Sequence, residues 1–443
     1  MRFLYLFLWF AFQYSFRLYF RKIKIINPSD YFFGRTIFVS NHQGSFMDPL
    51  IIASQRKPVV FFMTRSDVFT KLTRPILWAV HMLPIYRQRD GVDTKEKNAK
   101  IFEKTNQVLF RKRNILIFGE GFTDDRIQRR LHPIKKGPAR IGFSALEYCK
   151  WEKEIFIQGL GVNYTDFNLR GSDVLIAAGT KIRLNDFREE FEENSAKAIT
   201  EVTRILEADM RTLVTDVHDP ELADIHEDLM MLTRKGMHPT CFDRRLSIEH
   251  RWKYSIKLAV WINSLDQDQI NALKALGVKL NQYKTELTLI NLSEQERYLS
   301  KSNTWSVSSK FLRFVCLFPF FLLGAVHAGP TYLLIKRWVE TKFKRPVFWG
   351  STKKVTSIFA SFFINIPLLF VLPCVLPWSV ELNWTFSISY FLCVGLFAQA
   401  FLLGLRDLAT INRYRKVNSL DLSGLHRSHE ELIAEIRHAL PQL

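Results

Sequence analysis

Cysteine is scarce and scattered, with five residues at 149, 241, 316, 374 and 393 of a 443-residue chain. No C-x-x-C pair and no Cys/His finger spacing occurs, which argues against a disulfide framework or a structural zinc site. Three of the five lie in apolar stretches, and the usage is compatible with cytosol-facing chemistry. Acidic residues are also short: 43 Asp plus Glu face 62 Lys plus Arg, a net charge of +19. Such a field favours anionic partners, whether phospholipid headgroups, phosphorylated small substrates or nucleic acid. No RNA-binding signature accompanies the charge, so the expected partners exclude nucleic acid. No small-residue cleavage site succeeds the apolar start of the chain, which argues against a removable signal peptide.

The abundant residue is phenylalanine, with 38 copies clustered at the N-terminus and beyond residue 310. The first twenty residues, MRFLYLFLWFAFQYSFRLYF, are apolar and aromatic and run into Arg21, Lys22 and Lys24. Gln13 and Arg17 interrupt the run, leaving it short for a full membrane span. The expectation for 1–25 is an interfacial helix, its basic end on anionic headgroups at roughly 1 kcal/mol per Lys or Arg; a buried core helix is the alternative.

Over 26–195 short apolar runs alternate with amphipathic ones. TIFVS (36–40), VVFFM (59–63), ILIFG (115–119), IFIQGLGV (155–162) and VLIAAG (174–179) read as buried strands, and 94–109 has helical spacing. That pattern predicts an α/β fold, a mixed sheet flanked by helices. Residues 196–305 read as a helical extension. The region 306–410 holds three long uncharged stretches, 314–335, 355–380 and 382–405, each long enough to cross a hydrocarbon core. The linker 336–354 carries seven basic residues against one Glu, and Arg406, Arg413, Arg415 and Lys416 come after the last stretch. Both ends are therefore expected to be cytoplasmic. The last two stretches then form a hairpin turning at Glu381, and the first, broken by HAGP (327–330), re-enters without crossing. A helical tail, 411–443, completes the division. The expected location is a membrane, the bacterial inner membrane, with the catalytic domain on its cytoplasmic face.

The chemistry begins at NHQGSFMD, directly after the strand TIFVS. A neutral imidazole can take a proton from a hydroxyl attacking a thioester carbonyl, and a carboxylate on the other ring nitrogen fixes the tautomer. Six residues apart on one helix, His42 and Asp48 would be about 120° out of register; His42 is therefore placed in the strand-to-helix turn, with Asp48 reaching back from the helix. Spacing alone does not single them out, because His218 and Asp224 repeat it and His238 and Asp243 nearly do. Neither of those pairs is preceded by a strand, and both read as solvated surface residues. His42 and Asp48, by contrast, head an ordered set: LPIYRQRD with Arg87 and Arg89, FGEGFTDD with Glu120 and Gly121, and RRLHPIKKGPAR with Arg129, Arg130, Lys135, Lys136 and Arg140. From 111 to 140 nine basic residues face three acidic ones. Guanidinium forks, ammonium groups and glycine N–H groups are the donors a phosphomonoester needs. A solvated basic face is the competing reading, for Arg126 and Arg129 above all.

The succession NHQGSFMD, PIYR, FGEG and KKGPARIGF resembles the four-block pattern of the glycerol-3-phosphate and 1-acylglycerol-3-phosphate acyltransferase family, over about residues 30–190. The likeness implies that His42 is the general base and Asp48 its orienting partner. It also implies that Arg87, Glu120 and Gly121 bind phosphate and glycerol, with Lys136 a further contact, and that GLGVNY (159–164) lies near the acyl donor. No cofactor and no metal is implied; the donor substrate is an acyl thioester, acyl-CoA or acyl-ACP. The acceptor is glycerol 3-phosphate or its 1-acyl derivative, drawn from a lipid bilayer with anionic headgroups. Two features depart from the family's commonest pattern: five residues, not four, separate His42 from Asp48, and Gly119 stands where Pro is usual. The wider spacing resembles a subset with long C-terminal membrane regions. A non-catalytic membrane scaffold with a basic headgroup-binding face is the alternative function, and a nucleic-acid-associated membrane protein a third.

Overall fold

The computed structural model describes residues 2–27, 34–55, 60–71, 73–86, 94–121, 123–125, 127–301, 305–418 and 420–440. Two compact units divide the chain between Ile270 and Asn271. The first is built on a seven-stranded sheet of β1 (Lys22–Ile26), β2 (Thr36–Ser40), β3 (Val60–Arg65), β4 (Met82–Ile85), β5 (Asn114–Phe118), β6 (Phe156–Tyr164) and β7 (Asp173–Arg183). Their order is β1-β7-β6-β2-β5-β3-β4, and every neighbouring pair is parallel except β6 and β7. The sheet is mixed and flanked by helices, as its apolar runs predict.

All five residues of β2 are buried, which is why TIFVS reads as an unbroken apolar run: a central parallel strand is covered on both faces. Ile37 and Val39 enter a core formed with α4 (Thr94–Phe110), α5 (Gly137–Tyr148) and α7 (Ser195–Leu213); Phe38, one residue out of phase, faces the other way. β2, β3, β4, β5 and β6 share one direction, so their carboxyl ends line a single edge of the sheet, the edge where open α/β sheets bind ligands.

Three boundaries differ from those the sequence pattern suggests. The N-terminal helix α1 (Arg2–Tyr19) stops short of 25, and KIKII after it forms the edge strand β1 beside β7. Arg21 and Arg251 both bond the Asp173 carboxylate at the start of β7, fastening that corner. The edge strand β4 has no strand signature in the sequence; it is four residues long and contains Pro84, which an edge tolerates. Finally, α7 is no part of a separate extension. It lies on β6, where a methyl on Gly161 would come within 2.5 Å of the Leu213 carbonyl oxygen and one on Gly159 within 2.7 Å of Met210 Cγ. Gly161→Ala, meeting backbone that cannot rotate away, is therefore expected to cost about 1–3 kcal/mol, read as a lowered unfolding midpoint of the purified protein.

Helix α1 is apolar on two sides. Tyr5, Phe12 and Phe16 are buried, with Phe20 just beyond the helix, while Phe3, Leu4, Leu6, Phe7, Phe10 and Tyr14 are exposed. One face of it is therefore core, and the other is apolar and exposed. Helices α2 (Met47–Gln55), α3 (Arg74–Ala79), α6 (Arg188–Glu193), α8 (Pro220–Thr233) and α9 (Ile248–Asn263) complete the unit.

The second unit contains most of α10 (Gln267–Leu289), then α11 (Glu294–Lys301), α12 (Trp305–His327), α13 (Gly329–Lys342), α14 (Trp349–Val375), α15 (Val380–Asn418) and α16 (Ser423–Ala439). Among the described residues, three segments are long and apolar enough to cross a membrane: Val307–His327, Pro346–Val375 and Val380–Arg415. α12 runs antiparallel to α15, with the Arg313–Asp407 ion pair at one end and His327 beside Tyr390 at the other. Their backbones close up at Gly324, where a methyl would overlap the Phe397 carbonyl, the close approach that small residues permit between membrane helices. At Ala328 the chain reverses: Gly329 and Tyr332 of α13 lie back beside Phe401. α14 then climbs until Asn365 accepts from His327 Nε2 at 2.7 Å, and a turn over 376–379 leads into α15. HAGP is thus the apex of a helical hairpin. Lys353 at the start of α14 pairs with Glu340 at the end of α13, so the basic linker lies at the hairpin's open end.

Candidate active site

The carboxyl ends of β2, β5 and β6 bring the site together. After β2 the chain passes through Asn41 and His42, turns at Gly44 and Ser45, and enters α2 at Met47. Ser45 has φ +52°, and Met47 and Asp48 donate their N–H groups to the Gly44 and Ser45 carbonyls. This turn absorbs the fifth residue between His42 and Asp48. Glycine at 44 is required by closeness, since a methyl there would lie 2.6 Å from Asp48 Oδ1.

The dyad forms. His42 Nδ1 donates to Asp48 Oδ2 at 2.9 Å, and the same oxygen accepts the Gly44 N–H at 2.9 Å. Asp48 is fully buried while the His42 side chain is 21% exposed, so only the imidazole can meet a substrate. Its ring stacks on Phe118, the last residue of β5, at 4.0 Å between centroids and 18° between planes. With Nδ1 committed to the carboxylate, Nε2 carries the lone pair, the arrangement a general base needs. The two competing pairs do not reproduce this. His218 is exposed and lies beside Asp216 rather than Asp224, and His238 Nδ1 accepts the backbone N–H groups of Thr240 and Cys241.

Glu120, just after β5, is buried and reaches across to the same loop. One of its oxygens accepts the His42 N–H at 2.7 Å and the other the His132 N–H at 3.3 Å. Burial pushes its carboxyl up to about 7, against the smaller opposing pull of those two N–H groups. Glu120 thus ties the His42 loop to the loop before α5. Gly119 suits this junction better than proline. Its N–H donates to the Ser40 carbonyl, its carbonyl accepts from Lys135, and a methyl on it would press on Val39 at 2.8 Å. Gly121 has φ +76°, and Lys135 Nζ lies over it, 2.5 Å from where its methyl would be. That places an ammonium beside an open backbone turn, a phosphate-compatible pair.

Other expected groups lie elsewhere. Lys136 Nζ donates to Thr200 Oγ1 of α7 at 2.7 Å, so the lysine beside Gly121 is its neighbour Lys135. Arg129 is buried and consumed, bonding Glu227 and the carbonyls of Tyr164 and Met237. Arg87, Arg89 and Arg126 lie outside the described residues. In GLGVNY the glycines face α7, and Tyr164 at the end of β6 comes up against the Gly44 turn. Sequence reasoning does not find the parts played by Phe118, Tyr164 and Lys135. Only the strand period points to Tyr164, by putting it on the face of β6 opposite Gly159 and Gly161.

Residues 22–156 match the Acyltransferase family model. Among solved structures the chain is similar to the 1-acyl-sn-glycerophosphate acyltransferase PlsC from Thermotoga maritima, at 14% identity, with 45% of this chain and 79% of that chain covered and a TM-score of 0.31. No curated protein matches. The matched segment begins with β1 and ends at the first residue of β6, so it contains His42, Asp48, Glu120 and Lys135; over that segment the chain is similar to the acyltransferases, which supports an acyltransferase enzyme.

Proposed function

We propose that this acyltransferase moves an acyl chain from acyl-CoA or acyl-ACP to a hydroxyl of glycerol 3-phosphate or 1-acylglycerol 3-phosphate at a membrane surface, with His42 as general base. The observation that carries the proposal is the His42–Asp48 bond, which leaves Nε2 of a partly exposed imidazole to take a proton, in a loop that Glu120, the neighbour of Gly121, holds by its backbone. The acceptor hydroxyl gives its proton to His42 Nε2 as its oxygen attacks the thioester carbonyl. Collapse of the tetrahedral intermediate breaks the C–S bond, and the departing thiolate takes the proton from His42. Atoms balance without a covalent acyl-enzyme. A phosphate held by Lys135, the Gly121 turn and Arg87 would supply the orientation part of catalysis.

Membrane attachment in this reading uses the exposed face of α1, lying in the headgroup region, and the α14–α15 hairpin crossing it. The α12–α13 hairpin re-enters, which keeps the basic linker 336–354 and the Arg-rich end of α15 on the cytoplasmic side, that of a bacterial inner membrane. The test is an assay of the full-length protein in nanodiscs with both acceptors and both donors. Acyl transfer to one glycerol phosphate, abolished when its phosphate is removed, is the expected result. Equal rates with dephosphorylated acceptors would sink the substrate assignment.

A further inference from the structure

Aligned hydrogen bonds hold Asp48 at only one of its two oxygens. Oδ2 accepts from both His42 and Gly44, while Oδ1, fully buried, makes no aligned hydrogen bond among the described residues. The phenol oxygen of Tyr164 is in the same condition. The two groups are neighbours. A methyl built on Gly44 would lie 2.6 Å from Asp48 Oδ1 and 3.1 Å from Tyr164 Cε2. After burial itself, the Asp48 carboxylate is the largest influence on the phenol, through charge and through a side-chain hydrogen-bond contact, holding it well above its usual range. Strict hydrogen-bond geometry is missing at the hydroxyl, but the proximity is not. Leaving a buried donor and a buried acceptor unpaired side by side costs more than pairing them.

We infer that Tyr164 is a positioning residue of the dyad, its hydroxyl donating to Asp48 Oδ1 so that the carboxylate is fixed at both oxygens and its pull on the His42 proton is moderated. The ring is set by its surroundings: Phe20 and Phe167 pack against it at 5.9 and 6.0 Å, and Arg129 Nη1 holds the Tyr164 carbonyl at 2.9 Å. The charged and titratable groups facing this assembly are Asp48 on α2, Glu120 and His132 beside the His42 loop, Tyr19 at the end of α1, and Arg129. The inference rests on the general-base role proposed for His42.

The test compares Tyr164→Phe with the wild type in full-length protein. Loss of the donor leaves the Asp48 charge less shared, so His42 keeps its proton to higher pH. The acid limb of kcat against pH should move up by about half a unit to one unit, with kcat lowered about tenfold and KM little changed. Carbethoxylation of His42 against pH, followed by peptide mass spectrometry, reads the same shift without any substrate. It remains readable even if neither glycerol phosphate proves to be the acceptor, and so separates this inference from the functional proposal. Site-specific 3,5-difluorotyrosine at 164, a stronger donor of the same shape, should move both midpoints down; it also serves if Tyr164→Phe folds poorly. Leu206→Ala, a cavity in the core away from this ring, should lower the unfolding temperature without moving either midpoint. Unmoved midpoints in both position-164 variants would overturn the inference, whatever happened to stability.

Discussion

Replacing His42 by alanine is expected to lower acyl transfer by about 10²–10⁴-fold, the range that a positioned general base supplies. Asp48→Asn should come close to the same loss. A carboxamide can still accept at one atom, but it cannot stabilise the imidazolium that forms when His42 takes the hydroxyl proton. Neither change should alter membrane association. The exposed face of α1 (Phe3, Leu6, Phe7 and Phe10) and the apolar helices of the second unit share no residue with the dyad. Turnover of the two purified variants, beside their flotation with vesicles containing anionic lipid, makes the measurement. Full turnover in His42→Ala would remove the general base from the mechanism. Lost flotation together with lost turnover would instead favour a scaffold whose fold the substitution had broken. The double variant should be no worse than about the poorer single one, because groups that act as a unit lose their effect together.

The dyad is legible in the sequence because its parts are local: a buried strand, a turn with glycine, and a helix start, all within a short stretch of chain. The strands β2, β5, β6 and β7 are legible for a related reason, since a strand covered on both faces carries few polar residues to break the apolar run. The two edge strands are not. β1 alternates Lys and Ile, as a strand with one solvated side does, and its lysines make it look like the basic end of the helix before it. β4 is too short and contains Pro84. The finer parts of the site are illegible because they meet only through the sheet. Phe118 under the imidazole, Glu120 against two backbone N–H groups and Tyr164 against Asp48 come from strands far apart in the chain. Charge counting also misleads at single residues. Lys135 and Lys136 are adjacent at the start of α5 and point different ways, one over Gly121 and the other to Thr200. Arg129 counts as a surface cation by composition but is sealed between the end of β6 and α8. A basic segment gives a field, and only packing decides which of its members remains available to a ligand.

Glu120→Gln should abolish a specific part of the protein's pH-dependent stability. The Glu120 carboxyl titrates near 4.5 in an unfolded chain and is pushed up to about 7 in the folded one, chiefly because it is buried. The folded state therefore favours the protonated form. The group's contribution to stability is full below about pH 4.5 and is lost as pH rises through about 7, above which the cost of the buried charge is complete. The size of that loss, from a shift of this magnitude, is on the order of 3 kcal/mol. Glutamine cannot ionise, so the variant escapes the penalty and its stability relative to wild type should improve steadily from pH 5 to pH 8. Activity should move the opposite way at pH 8. The carboxylate accepts from His42 and His132 with separate oxygens, whereas glutamine offers one acceptor and turns its NH₂ toward the other N–H. The His42 loop then loses one of its two ties, and kcat is expected to fall about tenfold. Denaturant unfolding at pH 5 and pH 8, paired with turnover at pH 8, reads both effects. Parallel stability curves for the two proteins would mean that Glu120 is ionised throughout this range, its buried charge offset by a further favourable contact in the folded state.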